Sequence, residues 1–306
     1  MRLIFIATGD IALPAFRNLL VRGPQPLALV TQPDRPTGRH QTLTPPAIKA
    51  EALAAGIPVF QPEKIGEIAA ELLAFEPEVL VVMAYGQILR QNIIRLPSRA
   101  IINLHASLLP KYRGAACIQA AIDAGDLETG ITAMHLVREL DAGDVILSKA
   151  LAIGAAETGG SLHDRLAALA PSVLDETLEK LEAGTAARIP QDSFASSHVS
   201  KLERDAGRLD WSQDAVSLER RIRAYEPWPG TYTLATEDGR ARRLKIFPPV
   251  GVIDQLLLPG EISTAGDEVV VGCGRGALRI GTVQPDGGRK MSAADYLRGR
   301  KPTGLA

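Results

Sequence analysis

The stretch Val79-Leu80-Val81-Val82-Met83-Ala84 decides the fold of the first half of the chain. It is continuously apolar and rich in β-branched residues, as expected of a strand buried on both faces of a parallel sheet. Similar runs at residues 2–7, 27–31 and 100–105 are separated by segments in which apolar residues recur at helical spacing. This alternation of strands and helices predicts an α/β domain with a doubly wound, largely parallel sheet.

Composition narrows the class of protein. The chain has 306 residues, of which 46% are hydrophobic and 23% charged, and its net charge of -1 gives no overall attraction to nucleic acid. Its two cysteines, Cys117 and Cys273, match no disulfide framework or metal-binding spacing. No signal peptide and no membrane span are expected, so the sequence predicts a cytoplasmic protein.

The second half of the chain has a different character. Residues 188–207 are polar and irregular, which is typical of a linker. Short strand-like segments with turns between them follow, and they predict a small β-barrel. We therefore expect a first domain at residues 1–187, a linker at 188–207 and a second domain at 208–306. Ser161 is expected to cap a long helix that ends near residue 182.

An amide and an imidazole are expected at the end of the strand at residues 100–105. Asn103 and His105 are two residues apart, so their side chains project from the same face of the strand. Pro110 ends the strand, and sites in such sheets form at the carboxyl ends of strands. His105 could be an ordinary core residue, but this pairing favours a site in which it moves a proton and Asn103 holds an oxyanion.

A carboxylate partner for His105 is expected from the turn at residues 139–144. Asp141 and Asp144 are both candidates, and their spacing does not choose between them. With His105 they could also form a metal site, but one histidine makes a poor zinc site, so no metal is expected. Ser107 lacks the flanking glycines of a nucleophile elbow. The set therefore predicts acyl transfer to an amine that attacks directly.

Two loops after predicted strands are further candidates. The loop at residues 31–46 is long for its position and carries Arg35, Arg39 and His40, so it is either a solvated loop or a basic finger for phosphates. The segment after residue 84 is either a plain turn or part of a pocket for a flat heterocycle. Its members are Tyr85, Gly86, Gln87, Ile88 and Leu89.

These motifs resemble those of the methionyl-tRNA formyltransferases, members of the folate-dependent formyltransferase family. The most specific motif is Asn103-Leu104-His105-Ala106-Ser107-Leu108-Leu109-Pro110 followed by Leu140-Asp141-Ala142-Gly143-Asp144. The basic loop at residues 31–39 and the Pro227-Trp228-Pro229 segment resemble the members that act on tRNA. The resemblance extends over nearly the whole chain.

The resemblance implies a Rossmann-like catalytic domain followed by an OB-like barrel that binds tRNA. It implies formyl transfer from 10-formyltetrahydrofolate, as co-substrate, to the α-amine of methionyl initiator tRNA, by a monomer that needs no metal. The family's catalytic residues fall on Asn103, His105 and Asp141. Its tRNA-binding loop falls on residues 34–46, with Arg35, Arg39 and His40. Its folate-binding residues fall on Ser107, Leu108, Leu109, Pro110, Tyr85, Gly86, Gln87, Ile88 and Leu89.

Three segments depart from the family pattern: residues 7–11, the loop after Arg39, which has fewer lysines, and residues 197–202. The catalytic set is intact, so the departures bear on tRNA affinity more than on formyl transfer. Two alternatives remain: a folate-dependent N-formyltransferase acting on a nucleotide-linked amino sugar, and a catalytically idle RNA-binding relative.

Overall fold

The computed structural model describes residues 1–37, 41–237, 239–300, 302 and 304–306. Its internal contacts divide the chain into two compact units. The first comprises Met1–Gly114, Thr129–Leu151 and His163–Val199, and the second comprises Ala115–Glu128, Ala152–Leu162 and Ser200–Ala306. The domain boundaries expected at residues 187 and 208 stay a prediction.

The strands are β1 (Leu3–Ala7), β2 (Ala28–Val30), β3 (Arg35–Thr37), β4 (Thr42–Thr44), β5 (Val59–Phe60), β6 (Val79–Met83), β7 (Ala100–His105), β8 (Arg113–Gly114), β9 (Glu128–His135), β10 (Val145–Ala152), β11 (His198–Val199), β12 (Thr231–Glu237), β13 (Arg240–Ile253), β14 (Ile262–Ala265), β15 (Glu268–Gly272), β16 (Ala277–Pro285) and β17 (Met291–Ser292). The helices are α1 (Leu13–Arg22), α2 (Ala47–Ala54), α3 (Ala69–Leu73), α4 (Gln91–Ile94), α5 (Cys117–Ala124), α6 (Gly159–Glu182), α7 (Ala215–Ala224) and α8 (Ala293–Gly299), with 3-10 turns at Asp10–Ala12, Ile65–Ile68 and Arg204–Gly207.

The sheet of the first unit has the order β10-β9-β7-β6-β1-β2-β5. Strands β7, β6, β1, β2 and β5 run parallel, and β9 is antiparallel to β7. The chain builds outward from β1 in one direction through β2 and β5, then returns to the other side of β1 for β6 and β7. This reversal confirms the doubly wound topology and places the switch point between β1 and β6.

Burial explains why the apolar runs form the central strands. Every residue of β1 and β6 is buried, and their registers pair Leu3 with Val79 through Ala7 with Met83. A strand whose two faces are both covered needs no polar alternation, which is the pattern that the sequence shows. At the switch point the Gly9 N–H donates to the Ala84 carbonyl over 3.0 Å.

The second unit contains an antiparallel sheet of order β12-β13-β16-β15-β14, with β17 paired to β16. Its core combines sheet residues such as Ile246 and Leu278 with Leu218 and Ile222 of α7 and Tyr296 of α8. The register of β13 shifts between Phe247 and Val250, where two prolines stand that cannot donate ladder hydrogen bonds. The strand-rich second domain predicted from the sequence is confirmed as an antiparallel sheet.

One helix start differs from the prediction. Helix α6 begins at Gly159, so Ser161 lies within its first turn, and the side chain of the preceding Thr158 binds that turn. The Thr158 Oγ1 accepts from the Ser161 N–H over 3.2 Å, and the Ser161 Oγ accepts from the Thr158 N–H over 3.0 Å. This is a reciprocal capping pair, so Ser161 takes part from the first turn.

Of the helices described, none is long and apolar enough to cross a bilayer.

Candidate functional site

The carboxyl end of β7 brings three of the predicted residues together. The Asn103 Nδ2 lies 3.4 Å from the Asp141 Oδ1, and the His105 Nδ1 lies 3.7 Å from the Asp141 Oδ2. The His105 ring is 7% exposed, and the Asn103 side chain is half-buried. Because Asn103 and His105 project from one face of the strand, a single carboxylate reaches both.

The other nitrogen of the His105 ring is held by the loop after β7. Its Nε2 lies 2.9 Å from the Tyr112 carbonyl oxygen, which can only accept a hydrogen bond. The Nε2 therefore carries a hydrogen, and the Nδ1 is the nitrogen that faces Asp141. Tyr112 has a positive φ of 59°, and its own N–H donates to the Ser197 Oγ over 2.8 Å.

Asp141 is held in an uncommon backbone conformation. Its φ is +49°, in the left-handed region that costs most residues about 1–2 kcal/mol and aspartate less. Its Oδ2 accepts from the Gly114 N–H over 2.8 Å. A Cβ on Gly114 would lie 2.1 Å from the Val199 carbonyl oxygen, so only glycine lets this N–H approach the carboxylate. The carboxylate is thus fixed by the backbone as well as by Asn103.

Asp144, the alternative carboxylate, lies in a different environment. Its nearest cationic partner is Arg188, with 3.6 Å between Asp144 Oδ2 and Arg188 Nη1, and its side chain is 37% exposed. Within the described ranges, His, Cys, Asp and Glu side chains form no group of three placed to hold a metal ion. The geometry therefore favours Asp141 over Asp144 as the partner of His105.

The Ser107–Pro110 segment follows β7, and hydrogen bonds of its side chains and backbone hold it in place. The Ser107 side chain is fully buried, and its Oγ donates to the Lys111 carbonyl over 2.7 Å. The Thr132 Oγ1 donates to the Ser107 carbonyl and accepts from the Leu109 N–H, over 2.7 and 3.2 Å. Ser107 thus acts as a loop-forming residue here, while Leu108, Leu109 and Pro110 remain half-buried at the surface of the unit.

The 85–89 segment divides into buried and exposed residues. Tyr85 and Leu89 are 2% and 7% exposed and belong to the core beneath the sheet, and burial raises the pKa of the Tyr85 phenol to about 12. The Gln87 side chain bonds to residues 62–65, where its Oε1 accepts from the Ile65 N–H over 3.0 Å. Only Gly86 and Ile88 are exposed. A ligand would therefore meet the backbone and Ile88, and the side chains of Tyr85 and Leu89 support the segment from below.

The predicted basic finger is partly described. Strands β3 and β4 form a hairpin, and the Arg35 Nη2 donates to the Gln32 Oε1 over 2.8 Å. Asp34, just before the hairpin, accepts a hydrogen bond from the Lys49 Nζ over 2.8 Å. Hydrogen bonds from Gln61 and Lys49 lower the pKa of the Asp34 carboxyl. Arg39 and His40 lie outside the described residues.

Gln191, which the sequence analysis does not single out, forms hydrogen bonds with the turn at residues 139–144, called the Asp141 turn below. The Gln191 Nε2 donates to the carbonyl oxygens of Asp141 and Gly143. Gln191 lies in the segment that the sequence predicts to be a linker, 50 residues from Asp141. No local sequence pattern predicts a contact between residues so far apart.

Comparison with known proteins identifies two family matches along the chain. Residues 1–178 match the formyl transferase family, and residues 201–301 match the formyl transferase C-terminal domain. A methionyl-tRNA formyltransferase of Akkermansia muciniphila is 47% identical over 98% of this chain and 96% of its own length. One from Geobacter metallireducens is 42% identical over the same shares. The chain belongs to the methionyl-tRNA formyltransferase family.

Solved structures share the fold of the family at lower identity. HypX of Aquifex aeolicus, solved with tetrahydrofolic acid, matches with a TM-score of 0.65 and 18% identity over 97% of this chain. This chain spans 47% of the HypX chain. An N-formyltransferase of Helicobacter canadensis, solved with folinic acid and dTDP-3-aminofucose, matches with a TM-score of 0.67 and 16% identity over 95% of this chain and 100% of its own. Both comparisons support the Rossmann-like assignment of the first unit.

Proposed function

We propose that the protein transfers the formyl group of 10-formyltetrahydrofolate to the α-amine of methionyl initiator tRNA, as a cytoplasmic monomer. The observation that carries the proposal is the position of Asp141, within 3.4 Å of the Asn103 amide and 3.7 Å of the His105 ring. Family membership supports the reaction, and this convergence supports the assignment of Asn103, His105 and Asp141 to it.

In the proposed reaction the neutral amine attacks the formyl carbon, and a tetrahedral oxyanion forms. Asn103 donates an N–H to the oxyanion, because its contact with Asp141 engages at most one of its two amide hydrogens. Protonated His105 is the second stabilising group, through the positive charge of its ring, because its Nε2 faces the Tyr112 carbonyl and its Nδ1 faces Asp141. An N–H donor such as that of Asn103 is worth about 3 kcal/mol in other oxyanion holes.

Asp141 is proposed to carry the proton that the reaction displaces. As the bond between the amine nitrogen and the formyl carbon forms, the bond from that carbon to the folate nitrogen breaks, and the amine proton moves to this nitrogen. The Asp141 carboxylate faces the His105 Nδ1 and is anchored by the Gly114 N–H, so it is placed to accept the proton and pass it on. The balance requires no covalent enzyme intermediate.

The substrate contacts are proposed for the loops around this site. Ser107, Leu108, Leu109 and Pro110 would contact the folate together with the exposed part of the 85–89 segment. Arg35, which is exposed in the β3–β4 hairpin, would meet tRNA phosphates with Arg39 and His40 of the same loop.

The decisive experiment measures transfer of labelled formyl from 10-formyltetrahydrofolate to three acceptors: methionyl initiator tRNA, the same tRNA without methionine, and a dTDP-linked amino sugar. We expect product only with the charged tRNA. Transfer to the sugar amine would overturn the assigned acceptor. No transfer to any acceptor, with tRNA binding unchanged in the His105→Ala variant, would indicate an RNA-binding protein instead.

A further inference from the structure

The side-chain amide of Gln191 forms hydrogen bonds with the Asp141 turn through its nitrogen and with the buried Arg113 through its oxygen. Its Nε2 donates to the Asp141 carbonyl oxygen over 2.9 Å and to the Gly143 carbonyl oxygen over 2.7 Å. Its Oε1 accepts from the Arg113 Nε over 3.1 Å and from the Arg113 Nη2 over 2.8 Å. Two donors and two acceptor sites are thus engaged, which is the full capacity of a primary amide.

This set of partners fixes which way the amide faces. Exchanging the amide nitrogen and oxygen would place the oxygen against two carbonyl oxygens and the NH₂ group against a guanidinium, and all four contacts would become repulsive. Arg113 is 8% exposed, so its guanidinium is itself held in place. The Gln191 amide therefore presents donors to the Asp141 turn in one orientation only.

Two neighbouring residues of β8, Arg113 and Gly114, both support the Asp141 turn. Arg113 of β8 holds Gln191, which binds the turn's backbone, and Gly114, the next residue, donates its N–H to the Asp141 carboxylate over 2.8 Å. Strand β8 pairs in turn with β11, and the Arg113 N–H donates to the carbonyl of Ser197, the residue before β11, over 2.8 Å. The backbone and the side chain of Asp141 thus share one support.

The turn at residues 139–144 has an uncommon backbone conformation at Asp141 and is closely packed at Gly143. Asp141 has φ +49°, and a Cβ on Gly143 would lie 1.7 Å from the His135 carbonyl oxygen, so the turn is packed against β9 with no room to shift inward. The Asp141 Oδ2 is 3.7 Å from the His105 Nδ1, and proton transfer is sensitive to displacements of about 1 Å.

We propose that Gln191, held by Arg113, is a positioning residue that sets the distance between the Asp141 carboxylate and the His105 ring for formyl transfer. The inference rests on the proposed role of Asp141 and adds a residue from outside the recognised motifs. It predicts that loss of the Gln191 donors lowers kcat and leaves substrate binding unchanged, since Gln191 acts only through the Asp141 turn.

The test compares Gln191→Met, which keeps the length of the side chain and removes its hydrogen bonds, with Gln191→Glu, which keeps the acceptors and removes the donors. We expect kcat to fall at least 10-fold in both, with KM for methionyl-tRNA and for 10-formyltetrahydrofolate within 2-fold of the parent. Asn18→Ala is the matched control, because the Asn18 amide also donates to another element of the same unit, over 2.6 Å to Asp175. It should keep the parental kcat.

A double-mutant cycle with Asp141→Asn distinguishes positioning from general support of the fold. If Gln191 acts through Asp141, adding Gln191→Met to Asp141→Asn should lower kcat less than 2-fold further. Multiplying effects, a change confined to KM, or a parental kcat in both Gln191 variants would overturn the proposal. A parental kcat in Asp141→Asn itself would overturn the proposed role of Asp141 as well, and so separates the two failures. Should Gln191→Met not fold, the cycle is run with Gln191→Glu.

Discussion

Two buried histidines on neighbouring strands of the first sheet show what separates a candidate catalytic residue from a structural one. His105 at the end of β7 and His135 at the end of β9 are each 7% exposed. In both, the Nε2 faces a backbone carbonyl oxygen, that of Tyr112 at 2.9 Å and that of Ala187 at 3.2 Å. By burial and by their first hydrogen bond the two rings are alike.

The surroundings of the two rings differ in the charge nearby. The Nδ1 of His105 faces the Asp141 carboxylate at 3.7 Å. For His135, burial and the nearby Arg188 lower the pKa, against smaller opposing effects of the Ala187 carbonyl and Asp144. The surroundings of His135 therefore disfavour its charged form, whereas the ring of His105 faces a carboxylate. Burial alone does not predict a role; the partner of the ring does.

The largest expected effect is the loss of kcat when the His105 ring is removed, compared with removal of the His135 ring. His105→Ala should lower kcat for formyl transfer about 100-fold or more, and so should Asn103→Ala and Asp141→Ala, because each removes a group that we propose to act on the reacting atoms. His135→Ala should change kcat only a few-fold. The measurement is kcat at saturating folate and methionyl-tRNA, with circular dichroism to confirm folding. A near-parental kcat for His105→Ala would contradict the role assigned to it.

A smaller effect should separate the two carboxylates of the 139–144 turn. Asp144→Asn should change kcat less than about 3-fold, because Asp144 is partly exposed on Arg188, whereas Asp141→Asn should lower it about 100-fold. Both variants keep the size of the side chain and remove its charge. If Asp144→Asn proved the more damaging of the two, the assignment of the acid would have to be exchanged.

The smallest effect concerns stability and pH. Because the pKa of His135 is lowered in the folded state, the unfolded chain binds its proton first, and the free energy of unfolding falls as the pH drops below the unfolded value of about 6.5. His135→Gln should flatten this slope between pH 7 and 5, by no more than the one-proton limit of about 1.4 kcal/mol per pH unit. Urea unfolding at several pH values measures it, and parallel curves for parent and variant would refute it.

Much of the first unit could be predicted from local sequence. The run at residues 79–84 contains β6, and residues 100–105 coincide with β7, because a strand buried on both faces needs only apolar side chains. The two-residue spacing of Asn103 and His105 likewise predicted that they share a face, since alternation is a local property of strands. These predictions rest on neighbouring residues alone.

Predictions that depend on distant contacts could not be made in this way. In the sequence only the resemblance favours Asp141 over Asp144, and the Gly114 N–H that binds the Asp141 carboxylate belongs to a distant segment. The polar and irregular neighbours of Gln191 predict a linker, whereas its partners lie up to 78 residues away. The sequence places Tyr85 at a candidate pocket, whereas its side chain is buried in the core.

The pairing of β8 with β11 has a practical consequence for dividing this protein. His163–Val199 belongs to the first compact unit, and the side chains of Gln191 and Ser197 form hydrogen bonds with the loops that hold Asp141 and His105. A fragment cut after residue 187 would discard these bonds while retaining every residue of the recognised catalytic motif. Anyone designing a minimal formyl-transferring fragment, or exchanging modules between relatives, should therefore place the junction after Val199.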